Sequence, residues 1–250
     1  MIRTVRGVLL DVDGTLLEGD RAIPGAAEAV ARIRAARWGL RVTTNTTRRP
    51  RRAIAAALDA AGIRVEAREI LTPAVLARTR ITASGRVRAA LLVPNSSKED
   101  FEGVEEDPFC PEWVVLGDLG SEFTFERMNR AFGWLREGAT LLALQRNRSW
   151  DPGDGRLVLD AGAYVAALEY AAGVVAEVVG KPSREFFDLA VTELGLDPDQ
   201  VLVVGDDAQN DCEGGRAAGC RTALVRTGKG RQAPVAAADL VLDSVADLVP

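Results

Sequence analysis

The stretch Gly7-Val8-Leu9-Leu10-Asp11-Val12-Asp13-Gly14-Thr15 decides how the rest of the chain reads. Val8 to Leu10 is an unbroken apolar run, the pattern of a parallel strand covered on both faces. It ends in two carboxylates one residue apart, followed at once by Gly14. In an open α/β sheet the carboxyl ends of strands are where ligands sit. Two acids there repel each other and lose solvation, so they need a cation or a shared proton. A Mg²⁺-assisted site follows, in which one acid attacks and its neighbour handles protons. The bland alternative is a strand ending in a turn with both acids solvated, and the doublet alone does not decide between them.

Working outward, Pro24 to Ala36 is spaced as a helix, Leu40 to Thr43 as a second strand, and Arg51 to Ala61 as a second helix closed by Gly62. This βαβα order begins a doubly wound sheet. From Thr72-Pro73 to about Gly173 the pattern changes. Val87–Val93, Trp113–Leu116, Leu141–Leu144 and Arg156–Leu159 read as strands. Thr124 caps a helix to Arg136, with Phe125, Met128, Phe132 and Leu135 on one face. Asn95 to Pro111 reads as a long polar surface loop, and Gly162 to Ala172 as a helix. From Val174 the first pattern resumes: Ser183 caps a helix through Leu194, and Val201 to Val204 is a second unbroken apolar strand. The expected fold class is α/β: a doubly wound, Rossmann-like parallel-sheet core in two parts, 1–71 and 174–250, interrupted by an inserted α/β cap at 72–173.

Composition narrows the chemistry. The chain has 250 residues, 47% apolar and 27% charged, with a net charge of −5. That is a soluble globular balance and gives no reason to expect nucleic acid as a partner. Three cysteines, Cys110, Cys212 and Cys220, contain no Cys-x-x-Cys pair, so neither a disulfide framework nor a zinc site is indicated. No apolar leader or membrane-length stretch is present, and a cytoplasmic protein is expected. Histidine is absent altogether. Catalysis must therefore run on carboxylates, lysine, hydroxyls and metal.

Four strand ends carry polar side chains: Asp11 and Asp13, Thr44 and Asn45, Lys181, and Asp206, Asp207 and Asp211. In a parallel sheet these ends lie on one edge and converge. Carboxylates, a lysine and a small hydroxyl suit phosphoryl transfer, where the metal and Lys181 offset the repulsion between an attacking carboxylate and a phosphate. Read singly, Lys181 is a loop charge, Thr44 a strand-end hydroxyl and Asp211 a helix N-cap. Arg48 to Arg52 reads as a solvated helix entrance, with attraction of an anionic substrate as its alternative. Trp134 and Met128 read as core.

Asp-x-Asp-Gly-Thr, Thr-Asn, Gly-Lys-Pro and Gly-Asp-Asp-x-x-x-Asp, in that order, resemble the four motifs of the haloacid dehalogenase superfamily. The insert resembles the large cap of subclass IIA, which includes 4-nitrophenyl phosphatase and phosphoglycolate phosphatase. The stretches Ala167-Leu168-Glu169-Tyr170 and Gly205 through Lys229 resemble the branch with phospholysine phosphohistidine inorganic pyrophosphate phosphatase. The resemblance implies a Mg²⁺-dependent phosphatase that hydrolyses a small phosphorylated metabolite through an aspartyl-phosphate. It implies that Asp11 is the nucleophile and Asp13 the general acid and base, Thr44 and Asn45 hold phosphoryl oxygens, and Lys181 neutralises charge. Asp11, Asp206 and the carbonyl of Asp13 would hold Mg²⁺; Asp211 would orient a water on the metal, or the lysine, and Asp207 has no settled role. In the cap, Arg146 or Arg148 would hold an acidic substrate tail and Trp150 would stack on a ring, with Asn147 beside them. A homodimer is compatible with this reading; nucleic acid and membrane partners are not expected. The competing readings are a phosphomutase or phosphotransferase, and a phospho-accepting signalling module without turnover. Asp13 and the large insert speak against the last, which needs neither an acid for a leaving group nor a lid.

Overall fold

A computed structural model describes residues 4–150, 155–234 and 238–250. The chain divides into two compact units. The first comprises Met1–Thr44, Arg51–Leu71 and Lys181–Pro250, and the second Asn45–Pro50 and Thr72–Gly180.

The first unit is built on a six-stranded parallel sheet. Its order is Leu240–Leu242, Arg221–Val225, Val201–Gly205, Gly7–Asp11, Gly39–Thr43, Ile70–Leu71. The two apolar runs singled out in the sequence lie side by side at its centre, Val8 opposite Leu202 and Leu10 opposite Val204. Every residue of both strands is buried, because helices cover each face of the sheet. Ile33, Leu58 and Ile63 pack against Val8, Leu10 and Val204 in the main core cluster.

The second unit carries its own five-stranded parallel sheet. The order is Glu177–Val178, Thr140–Ala143, Trp113–Leu116, Arg88–Leu92, Glu105–Glu106. Ala161–Ala172 and Phe125–Arg136 supply Val165, Leu168, Ala131 and Leu135 to a separate core. Thr124 caps its helix as expected, its hydroxyl accepting from the Arg127 amide at 3.3 Å.

Glu177–Val178 extends the second sheet, and the third segment of the first unit begins at Lys181. Some readings change in three dimensions. Asn95–Pro111 is not one long loop. Asn95–Phe101 winds into tight turns that bury Ser97, Asp100 and Phe101, and Glu105–Glu106 adds an edge strand. Polar residues are buried there because partners await them: the Ser97 hydroxyl donates to the Thr47 carbonyl at 3.0 Å. Phe125 leaves its expected apolar face and is 86% exposed, since it opens the helix before the buried stripe begins.

Candidate active site

Parallel pairing brings the ends of Gly7–Asp11, Gly39–Thr43 and Val201–Gly205 to one edge of the first sheet. Asp11, Thr44 and Asp206 are buried there. Lys181, buried at the opening of the third segment, joins them. Its ammonium lies 2.6 Å from a carboxylate oxygen of Asp11 and 2.6 Å from one of Asp211. Asp11, Asp206 and Asp211 each offer an oxygen, and these oxygens lie within 4.8 Å of one another. Residues from three separate stretches of chain thus share one small buried volume.

Two glycines make room for this crowding. A Cβ at Gly14, whose φ is +81°, would run into the Asp206 carboxylate, and a Cβ at Gly205 would run into that of Asp211. The Asp206 carboxylate is also tied down by the backbone N–H of Lys229 at 2.7 Å. The Thr227 hydroxyl donates to the Gly14 carbonyl and so fixes the loop that carries Lys229 against the first motif.

Lys181 pairs with Asp11 and Asp211, while the third carboxylate, Asp206, feels the charge of Lys229. Burial first, then the neighbouring charges of Asp211, Asp206 and Asp13, push Asp11 well above the usual carboxylate range, against the pull of Lys181. Burial likewise pushes Asp206 up to about 6. For Lys181, burial disfavours the ammonium, but Asp11 and Asp211 more than offset it and hold the lysine protonated. Three hard oxygen donors this close together fit a divalent cation such as magnesium, which takes carboxylates and keeps waters.

The remaining sequence candidates separate. Asp13 is exposed on the turn after the strand, where the Gly14 amide donates to the Leu17 carbonyl. Asp211, read singly as an N-cap, is instead buried and accepts from the Asp207 amide at 3.1 Å. Capping falls to Asp207, which accepts from the amides of Gln209 and Asn210 and pairs with Lys229 at 2.8 Å. Burial works against the Asp207 carboxylate, yet these amides and Lys229 hold it below its ordinary value. Asn45 belongs to the second unit, directly after Thr44 in the chain. Arg146 there is bound by both guanidinium nitrogens to Glu169, at 3.1 and 2.5 Å. The Asn147 amide donates to the Gln145 side chain, and Trp150 lies 5.3 Å beneath the Arg48 guanidinium. Arg48, read as solvated, is thus half committed to Trp150 and to Asp118 at 3.6 Å. Lys229 was missed as a site residue because it contributes a backbone amide, which any residue but proline possesses.

Comparison with known proteins finds relatives both by sequence and by fold. The sequence matches the haloacid dehalogenase-like hydrolase family over residues 8–105 and a related HAD-hydrolase-like family over 178–248. Phospholysine phosphohistidine inorganic pyrophosphate phosphatase of Xenopus laevis is 42% identical over 235 residues, covering 91% of this chain and 85% of that protein. The fold matches p-nitrophenyl phosphatase from Archaeoglobus fulgidus with a TM-score of 0.91 at 26% identity, over 98% of each chain. It also matches glycerol phosphate phosphatase from Mycobacterium tuberculosis in complex with magnesium, with a TM-score of 0.81 at 26% identity, over 91% of this chain and 70% of that one.

Proposed function

This chain belongs to the haloacid dehalogenase-like hydrolases and is a phosphohydrolase, and on that footing we propose that it is a magnesium-dependent phosphatase acting on a small phosphorylated metabolite through an aspartyl-phosphate. The observation that carries the reading is the contact of Lys181 with both Asp11 and Asp211, with Asp206 at the same cluster.

Asp11 is the nucleophile. One of its carboxylate oxygens forms a bond to phosphorus as the bond from phosphorus to the leaving oxygen breaks. Asp13, exposed beside it, gives its proton to that leaving oxygen. The oxygen of a water then bonds to phosphorus as the bond from phosphorus to the Asp11 oxygen breaks, and Asp13 takes the water's proton, so that inorganic phosphate leaves with Asp11 again a carboxylate and Asp13 again protonated. Lys181 stays charged throughout, holding the carboxylate in place and neutralising the phosphate. Thr44 and Asn45 bind phosphoryl oxygens. Asp11, Asp206 and the carbonyl of Asp13 would hold the magnesium, with Asp211 supporting them. When bound, the cation supplies the positive charge that lets an anion approach a phosphate dianion. We assign the second unit the part of a cap that selects substrates, with Asn147 and Trp150 as its contacts. Arg146, occupied by Glu169, contributes only if that pair opens.

The test is rapid acid quench during turnover of 4-nitrophenyl phosphate, with metal removed by EDTA and magnesium then restored. Expected are a phosphoprotein labile at alkaline pH, free phosphate in steady release, and loss of both with EDTA. Undiminished release in EDTA would sink the reading. A stable phosphoprotein without release would favour a signalling module, and phosphate found on a second organic acceptor would favour a mutase or transferase. A panel of phosphorylated metabolites, including phosphoamidates and pyrophosphate, identifies the substrate.

A further inference from the structure

The second unit holds a cavity of about 190 Å³ that has no part in the proposed chemistry. For scale, a cavity near 150 Å³ takes up benzene. Its floor is apolar: Ala90 and Leu92 from one strand and Leu119 are all buried. One wall is the helix Phe125–Arg136, where Arg127, Arg130 and Trp134 recur at three- and four-residue spacing and so share a face.

The charges around it are unequal. Lys98 pairs with Glu106 at 2.6 Å, and Arg127 with Glu122 at 2.7 Å. Arg130 lies 5.2 Å from the ring centre of Trp134 and donates once, to the Pro108 carbonyl at 3.1 Å. Among the described residues no carboxylate pairs with it. A guanidinium has five N–H donors, so most of Arg130's face solvent. The cavity therefore offers a ring-sized apolar floor, an aromatic wall and one uncompensated cation.

The same walls hold the segment after Thr44. Asn95 and Lys98 flank Ser97, whose hydroxyl donates to the Thr47 carbonyl, and Leu119 follows Asp118, whose amide donates to the Thr47 hydroxyl at 2.8 Å. We propose that this cavity is a regulatory site for a small organic anion, one ring or a short apolar chain bearing a single acidic head, whose binding is felt at Thr47.

The test is a titration followed by amide and indole NMR, a readout that does not depend on the phosphatase reading. The probes are benzoate, hexanoate and phenylphosphonate, with acetate and benzyl alcohol as head-only and body-only controls. Expected are saturable shifts at the Trp134 indole and the Thr47 amide with one midpoint. Carboxylate and phosphonate arms identify the preferred head. Arg130→Gln should raise that midpoint by at least about tenfold, as loss of a charge-assisted contact does, and Ala90→Leu, which fills the floor, should abolish the shifts. Thermal melting checks that both variants fold. No shift with any of the three anions, an acetate response equal to theirs, indifference to Arg130→Gln, or a Thr47 amide that stays still would each overturn the proposal.

Discussion

Both units of this chain are built on parallel sheets and bury acids, Asp11, Asp206 and Asp211 in the first and Asp118 and Asp160 in the second, and these acids meet different surroundings. In the first unit Asp11 and Asp211 share the Lys181 ammonium, Asp206 offers an oxygen within 4.8 Å of theirs, and burial pushes Asp11 and Asp206 above the usual carboxylate range. In the second, Asp118 accepts from the Gly120 amide at 2.8 Å and faces Arg48. Asp160 caps the helix Ala161–Ala172, accepting from the Ala161 amide at 2.6 Å and the Gln145 side chain at 2.5 Å. The fold rule that places ligands at strand ends applies to both sheets. What separates them is crowding: local donors hold the acids of the second unit, even as burial pushes Asp160 up, whereas the first unit gathers three carboxylate oxygens within 4.8 Å of one another.

The sharpest way to break this contrast is a pair of isosteric changes. Asp11→Asn should lower kcat/KM for 4-nitrophenyl phosphate by on the order of 10⁴-fold or more, as loss of a nucleophile does. Asp160→Asn should leave it within a few-fold. Comparable losses from both would erase the distinction. Next comes Lys181→Met, which leaves buried carboxylates without their ammonium. It should cost about 3–5 kcal/mol in metal-free urea unfolding, along with most activity, and magnesium should recover part of the stability.

The pH dependence sharpens the comparison further. Folded metal-free protein holds the Asp206 proton up to about pH 6, whereas the ordinary value is 3.8. The folded state binds that proton more tightly than the unfolded one. Its stabilising contribution is therefore complete below the ordinary value and is lost as pH rises through 6, by up to about 3 kcal/mol. In EDTA the parent should lose stability between pH 4 and 7 relative to Asp206→Asn, and magnesium should reverse the loss at pH 7. A difference that ran the other way would refute the burial argument. The smallest effect is expected from Asp160→Ala, a lost N-cap worth about 1 kcal/mol in thermal unfolding.

Much of this was legible in the linear chain where local pattern and chemistry coincide. Apolar runs Val8–Leu10 and Val201–Val204 marked the central strands, and the acids at their ends marked the site. Reading failed where a residue's role depends on a partner far along the chain. Asp207 and Asp211 are both acids in one loop, and only packing makes one a cap and the other a partner of Lys181. Phe125 fits a helical stripe yet stands in solvent, and Asn95–Phe101 looks like a surface loop yet buries Ser97 and Phe101.

By itself the order of residues determined the α/β class, the membership of a hydrolase family, and which side chains carry charge to the strand ends. Periodicity and side-chain chemistry are local properties, so they can be read one window at a time. Tertiary structure alone decided that Lys181 touches Asp11 and Asp211, that the Lys229 amide secures Asp206, and that Glu169 occupies Arg146. Those contacts join positions up to 170 residues apart. Electrostatic energy depends on distance and burial in space, and neither is a property of spacing along the chain.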